Sequence, residues 1–206
     1  MTGLSYATRG DCEAGIKECE RARELAPDPF ETAAVLACLG KAYAEAGDLS
    51  RAIPSLEQGV KLAEKVRSLQ WREWFRALLA EAYFLNGQMD KGGETARQAL
   101  GVCAQVGYSW GIGWSHQVLG RVGHALGAFA EAEQHLGDSL QVFGSVKAPF
   151  ETGRTRLFLA SLALAQDKRE AAATHLSEAR SLFAALRVPK YVERVESLAR
   201  SMSAGG

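Results

Sequence analysis

With 206 residues, 47% of them hydrophobic and 23% charged, the chain has the composition of a globular protein and enough length for a sizeable core. Lys+Arg and Asp+Glu number 24 each, so the formal net charge is zero. That balance argues against bulk attraction to nucleic acid or to an anionic membrane, both of which need a basic excess.

The chain repeats itself every 40 residues. Leu39, Leu79, Leu119 and Leu159 share one register position. Gly40, Ala80, Gly120 and Ala160 share the next, and Gly47, Gly87, Gly127 and Asp167 share a turn position. Ala52, Gly92, Ala132 and Ala172 continue the register into a second segment. A fixed period of this length means stacked supersecondary units, none large enough to bury its own apolar face.

In chain order, residues 1–29 form a partial repeat. Gly3, Tyr6, Gly10, Asp11, Gly15, Ile16 and Cys19 align with the following repeat at a shift of 37, and the stretch ends in Ala26-Pro27. Only Met1 and Thr2 precede Gly3 and Tyr6, so the first helix is cut in half. That implies a fragment of a longer array, or a homo-oligomer formed through this truncated end.

The repeat over 30–69 predicts a helix Thr32–Ala46 and a second from Leu49, with a break at Gly47-Asp48. Leu36, Leu39, Gly40 and Tyr43 point inward on the first helix. Ala52, Ile53, Leu56, Val60, Ala63 and Val66 form the stripe of the second. The repeat over 70–109 pairs Trp71–Asn86 with Met89–Gln105. The repeat over 110–148 pairs Trp110–Leu126 with Phe129–Ser145, and that over 149–188 pairs Phe150–Gln166 with Arg169–Leu186. Residues 189–203 carry Tyr191, Val192, Val195, Leu198 and Met202 on one side, an amphipathic helix placed to cap the last apolar layer.

Small residues predict how two helices of a hairpin meet. Gly40, Ala80, Gly120 and Ala160 face Ala52, Gly92, Ala132 and Ala172, which lets the backbones approach closely. The expected fold is all-α: a right-handed α-solenoid of antiparallel hairpins, running as one domain over 1–206 with a C-terminal capping helix.

The pattern Leu39-Gly40-x-x-Tyr43-x-x-x-Gly47-Asp48-x-x-x-Ala52-x-x-x-Leu56, echoed by Leu79-Ala80-x-x-Tyr83-x-x-x-Gly87, resembles a tetratricopeptide repeat (TPR) array over essentially the whole chain. The repeats are longer than the usual TPR. Leu36, Arg76, His116 and Arg156 stand where an aromatic is often found early in the first helix. The long repeats also resemble the C-terminal arrays of bacterial signalling ATPases and LuxR-type transcriptional regulators, which implies a regulatory sensor region.

In this family the first helices line a concave face. The stripe at 34, 37, 41 and 44, advanced by 40, gives four rows. They are Ala34, Ala37, Lys41, Ala44; Trp74, Ala77, Glu81, Phe84; Trp114, Gln117, Arg121, His124; and Arg154, Leu157, Ser161, Leu164. The candidate ligand groove is therefore Trp74, Glu81, Phe84, Trp114, Gln117, Arg121, His124 and Arg154. Aromatic anchors beside arginine forks suit a peptide carrying a carboxylate. The plain alternative packs the tryptophans against the next helix and leaves the arginines solvated. Asn86 is the only asparagine, so the asparagine–lysine clamp of chaperone-tail binders is absent.

Catalytic signals are poor. Gly111-Ile112-Gly113 lacks the third glycine of a dinucleotide loop, because His116 stands there. His116 and His124 are eight apart on one helix and diverge by roughly 80°. His135 and His175 share the register on second helices and read as structural. Glu131 and Glu133 read as a solvated face. Cys12, Cys19, Cys38 and Cys103 form no C-x-x-C pair and read as packed, reduced thiols. Met1–Gly15 has no apolar signal-peptide region, and no stretch approaches the ~20 apolar residues of a membrane span. The expectation is a cytoplasmic, non-enzymatic protein-interaction scaffold with no cofactor, metal, nucleic acid or membrane partner. Its alternative is a sensor domain for a small effector.

Overall fold

The computed structural model describes residues 11–26 and 28–204. Gly3, Tyr6 and Gly10, on which the truncated first helix and its assembly role were read, lie outside the described residues. Among those described there are ten helices and no strand. They are α1 (Cys12–Leu25), α2 (Pro29–Ala46), α3 (Leu49–Lys65), α4 (Leu69–Leu85), α5 (Met89–Val106), α6 (Ser109–Ala125), α7 (Phe129–Ser145), α8 (Pro149–Ala165), α9 (Arg169–Ala185) and α10 (Pro189–Ala204).

Local chemistry sets the helix starts. Asp11, Asp28 and Asp48 cap α1, α2 and α3 by accepting from Ala14 N at 3.0 Å, Glu31 N at 2.9 Å and Arg51 N at 3.1 Å. Asp11 and Asp48 are a pair at the shift of 37 read from the sequence. Pro29 and Pro149 open α2 and α8 at the first helical turn, where a missing N–H costs nothing.

The helix ends follow a half-period of 20. Gly47, Gly87, Gly127 and Asp167 are left-handed at the turns within hairpins. Arg67, Gly107, Lys147 and Arg187 are left-handed at the joints between hairpins. In each case the next residue's N–H reaches back five residues, as in Asp48 to Tyr43 O at 2.9 Å and Ser68 to Ala63 O at 3.0 Å. The four hairpin turns fall where the sequence placed them. The joints do not advertise themselves, because three of the four carry a long basic side chain instead of glycine.

Cα packing divides the chain into two compact units, Met1–Val118 and Leu119–Gly206, with the division inside α6. In the N-terminal unit α1 packs on α2, α2 on α3, α3 on α4 and α4 on α5. Its main core gathers Leu56, Phe75, Leu78, Leu79 and Tyr83 with Ala33, Ala37, Ala63 and Ala82. In the C-terminal unit α7 packs on α8, α8 on α9 and α9 on α10. Leu136, Leu159 and Leu162 fill one layer there, and Leu176, Phe183, Tyr191 and Val195 another.

The small-residue joints hold. A Cβ on Gly40 would lie 2.5 Å from Leu56 Cγ and 3.0 Å from Ala52 O. On Gly92 it would lie 3.0 Å from Ala80 O, and on Gly120 it would lie 2.6 Å from Leu136 Cγ and 3.1 Å from Ala132 O. One glycine per pair is enough: it sits on the first helix in two hairpins and on the second in the other. Ala160 and Ala172 meet the same need without glycine, and both are fully buried. On α10, Arg200 occupies this position and is exposed. Tyr191 and Val195 on its other side are buried, so α10 covers the last layer with one face and shows a charged one outward.

Candidate functional site

The predicted groove residues fall into both units, and each unit is described alone. In the N-terminal unit Trp74 and Trp114 are half-buried, and their rings stack nearly parallel, 9° apart in plane at 6.0 Å. They belong to a longer aromatic chain. Phe30 lies 4.6 Å from Trp71, Trp71 lies 5.6 Å from Trp74, and Trp110 lies 5.3 Å from Trp114. All four tryptophans of the chain are thus joined through the first turns of α4 and α6, with Phe30 of α2 at one end. Trp74 Nε1 is buried and has no hydrogen-bond partner among the described residues. A buried donor left so costs about 1–3 kcal/mol, which makes this indole an unrelieved feature of the site.

The rest of the N-terminal stripe is drier than a groove floor. Ala37, Ala77 and Gln117 are buried, the first two where α2 and α4 pack side by side. Glu81 is buried and accepts from Lys41 Nζ at 2.7 Å, and the same ammonium lies 3.2 Å from Glu45 Oε1. Lys41 and Glu81 are 40 residues apart, so a register position inside the array is closed by opposite charges. Phe84 is half-buried.

In the C-terminal unit two guanidinium groups share one ring. Arg121 lies 4.6 Å and Arg154 5.7 Å from the centroid of Phe158. Arg154 is 2% exposed and donates to Glu151 Oε2 at 3.0 Å. It is no solvated arginine, and its charge is already engaged by a buried carboxylate. His124 is half-buried, and burial holds its pKa below the ordinary value.

Two features of these helices went unread in the sequence. Phe30, Trp71 and Trp110 extend the aromatic chain; the spacing Trp71-x-x-Trp74 and Trp110-x-x-x-Trp114 was the signal. Glu73 is fully buried and accepts from Arg72 Nε at 2.6 Å and from Arg76 Nη1 at 2.7 and 2.8 Å. Its register partners are Ala33, Gly113 and Gly153, so a carboxylate at a tiny-residue position was the clue. The thiols are free, and burial pushes Cys19 and Cys103 up to about 11, as inert packed groups. An apolar depression of ≈ 570 Å³ lies off the predicted rows, between Phe183, Val188 and Val192 at the α9–α10 joint.

Residues 2–202 match the MalT-like TPR region. The chain belongs to that family. Among solved structures it is similar to a Rap protein complexed with Competence and Sporulation Factor, with a TM-score of 0.81 at 15% identity over 94% of this chain and 55% of that one. It is also similar to a signal transduction ATPase with numerous domains carrying a tetratricopeptide repeat sensor, from Pyrococcus horikoshii. There the TM-score is 0.64 at 17% identity, over 95% of this chain and 31% of that one. A putative kinesin light chain repeat protein from Podosopora anserina gives 0.58 at 21% identity, over 90% of this chain and 93% of that one. No curated protein matches the chain. These likenesses show the fold, an all-α TPR-like solenoid class typical of protein-interaction and regulatory sensor modules. No catalytic family is indicated. No helix among the described residues is long and apolar enough to cross a membrane.

Proposed function

We propose that this MalT-like TPR region is a non-enzymatic interaction module that takes a segment of a partner protein against Trp74 and Trp114, as a regulatory part of a larger signalling system. The observation that carries the reading is the aromatic chain of the N-terminal unit. Two half-exposed, stacked indoles offer rigid contact area at low entropic cost, the character of an interface anchor. Lys41 and Glu81 lie on the same stripe, and their ion pair holds α2 against α4. The neighbouring Rap protein was solved with a factor bound, which supports reading this fold as a ligand-holding one.

A second reading rests on Arg121. Its guanidinium is half-exposed over Phe158 in the C-terminal unit, where a small anionic effector of a sensor domain would find it. Variants separate the two. Because all four tryptophans are in one chain of contacts, intrinsic fluorescence reports on the site directly. A partner captured by wild type and lost by Trp74→Ala and Trp114→Ala, both still helical by circular dichroism, supports the first reading. Loss with Arg121→Ala alone supports the second. Capture unchanged by all three variants would remove both.

A further inference from the structure

The joints of the N-terminal unit form an edge that nothing in the chain covers among the described residues. Leu25, at the end of α1, is 71% exposed. Phe30 in the first turn of α2, Leu69 at the start of α4, and Val106 and Trp110 at the α5–α6 joint are also exposed. Phe30, Leu69 and Trp110 are linked along one run of side chains. Phe30 touches Trp71, two residues from Leu69, and the ring contacts run on through Trp74 and Trp114 to Trp110. Exposed apolar strips of this kind mark contact surfaces.

The charges along this edge are sorted. Residues 23–31 hold Glu24, Asp28 and Glu31 against one base, Arg23. Residues 64–72 hold Lys65, Arg67 and Arg72 against one carboxylate, Glu64, which lies 3.7 Å from Arg72. Asp28 is used in capping α2, and Arg72 is held by Glu73 and Glu64. Glu24, Glu31, Lys65 and Arg67 are exposed and make no ion pair among the described residues. Arg67 is moreover left-handed at φ 55°, a conformation that suits the Gly107 found at the equivalent joint and strains an arginine. The edge therefore presents an acidic joint and, one helix hairpin on, a basic joint, with apolar side chains at both.

A surface with that polarity is complementary to itself when turned by a two-fold rotation. The acidic joint of one copy then meets the basic joint of the other, twice, over a shared apolar strip. We propose that this edge is where a second copy of the chain docks, as an isologous pair. The strip borders the proposed partner site on Trp74 and Trp114, and charge reversals at Glu31 and Arg67 leave both tryptophans in place.

Sedimentation velocity of the full chain, from dilute to high micromolar concentration and at low and high salt, tests it. Wild type should pass from monomer to dimer with concentration, more weakly at high salt. Arg67→Glu sets acid against acid and should weaken the pair at least ~tenfold, and Glu31→Lys should do the same. The double variant Glu31→Lys/Arg67→Glu restores opposite charges in both halves and should return the affinity to within about threefold of wild type. These exposed substitutions leave the core intact, and circular dichroism checks that. A wild type monomeric throughout overturns the proposal. So does a dimer indifferent to both charge reversals, and so does a double variant no better than the singles.

Discussion

At two register positions the N-terminal unit places ionisable groups where the C-terminal unit places glycine, alanine or phenylalanine. Tyr43 and Tyr83 share a register position. Tyr43 donates to Glu20 at 2.8 Å beneath Arg51, and Tyr83 donates to Glu57 at 2.5 Å beneath Lys91. Burial and these hydrogen bonds raise both phenol pKa values. The same position in the C-terminal unit holds Gly123 and Ala163. Glu73 with Cys103 and Ala33 with Ala63 in the first unit correspond to Gly153 with Phe183 in the second. There the missing Cβ leaves room for the ring, which a Cβ would approach to 2.9 Å. Phe150 and Tyr191 then pack on Phe183 at 5.9 and 4.9 Å. One backbone register thus tolerates two core chemistries, provided large and small residues alternate across each joint.

The strongest way to break the comparison is to remove the ring. Phe183→Ala leaves a void opposite Gly153 and should cost about 3–5 kcal/mol. Chemical denaturation with hydrogen exchange should show the loss concentrated in α8–α10. A loss spread evenly over α2–α10 would mean that the two units do not differ in this way.

Lys41→Met, in the other unit, removes the cation that two buried carboxylates share and should cost about 3–5 kcal/mol. Lys41→Met/Glu81→Met should recover much of that, because an apolar pair of similar volume replaces the ion pair. A double variant as unstable as the single would show that Lys41 acts by packing alone.

Gly120→Leu tests the joint geometry common to both units. Its side chain must displace Leu136, at about 1–3 kcal/mol. An unchanged melting temperature would refute the close approach.

Acid should also tell the units apart. His124 and His175 are held below the ordinary 6.5, both first by burial and His175 also by Arg156. The unfolded chain takes up these protons first. Their contribution is therefore whole above about pH 6.5 and is lost as pH falls towards the lowered folded values. Both lie in the C-terminal unit, so that unit should lose exchange protection first on mild acidification. His175→Gln should flatten that dependence; an unaltered pH profile would assign it elsewhere.

The smallest effect is a gain. Gly137 and Gly144 face open space on α7, and alanine at either should stabilise by about 0.5–1 kcal/mol. A loss would reveal a contact on this outer face.

The hairpins, their turns and the glycine joints were legible because they depend on local rules repeated at a fixed spacing. A left-handed turn, a capping aspartate and a close backbone contact each demand a particular residue type at a particular place. The site was legible only in part. Advancing the register put Trp74 and Trp114 at equivalent positions, where their rings stack, but it also put Ala37 and Ala77 on a row that the packing of α2 on α4 buries. Lys41, Glu81 and Arg154 were expected to line an open groove and are instead buried and paired, Lys41 with Glu81 and Arg154 with Glu151. Periodicity gives the face of a helix on which a side chain stands. How near the next helix comes, and what partner it brings to a charge, depends on residues up to 40 positions away, and that only the tertiary structure decided.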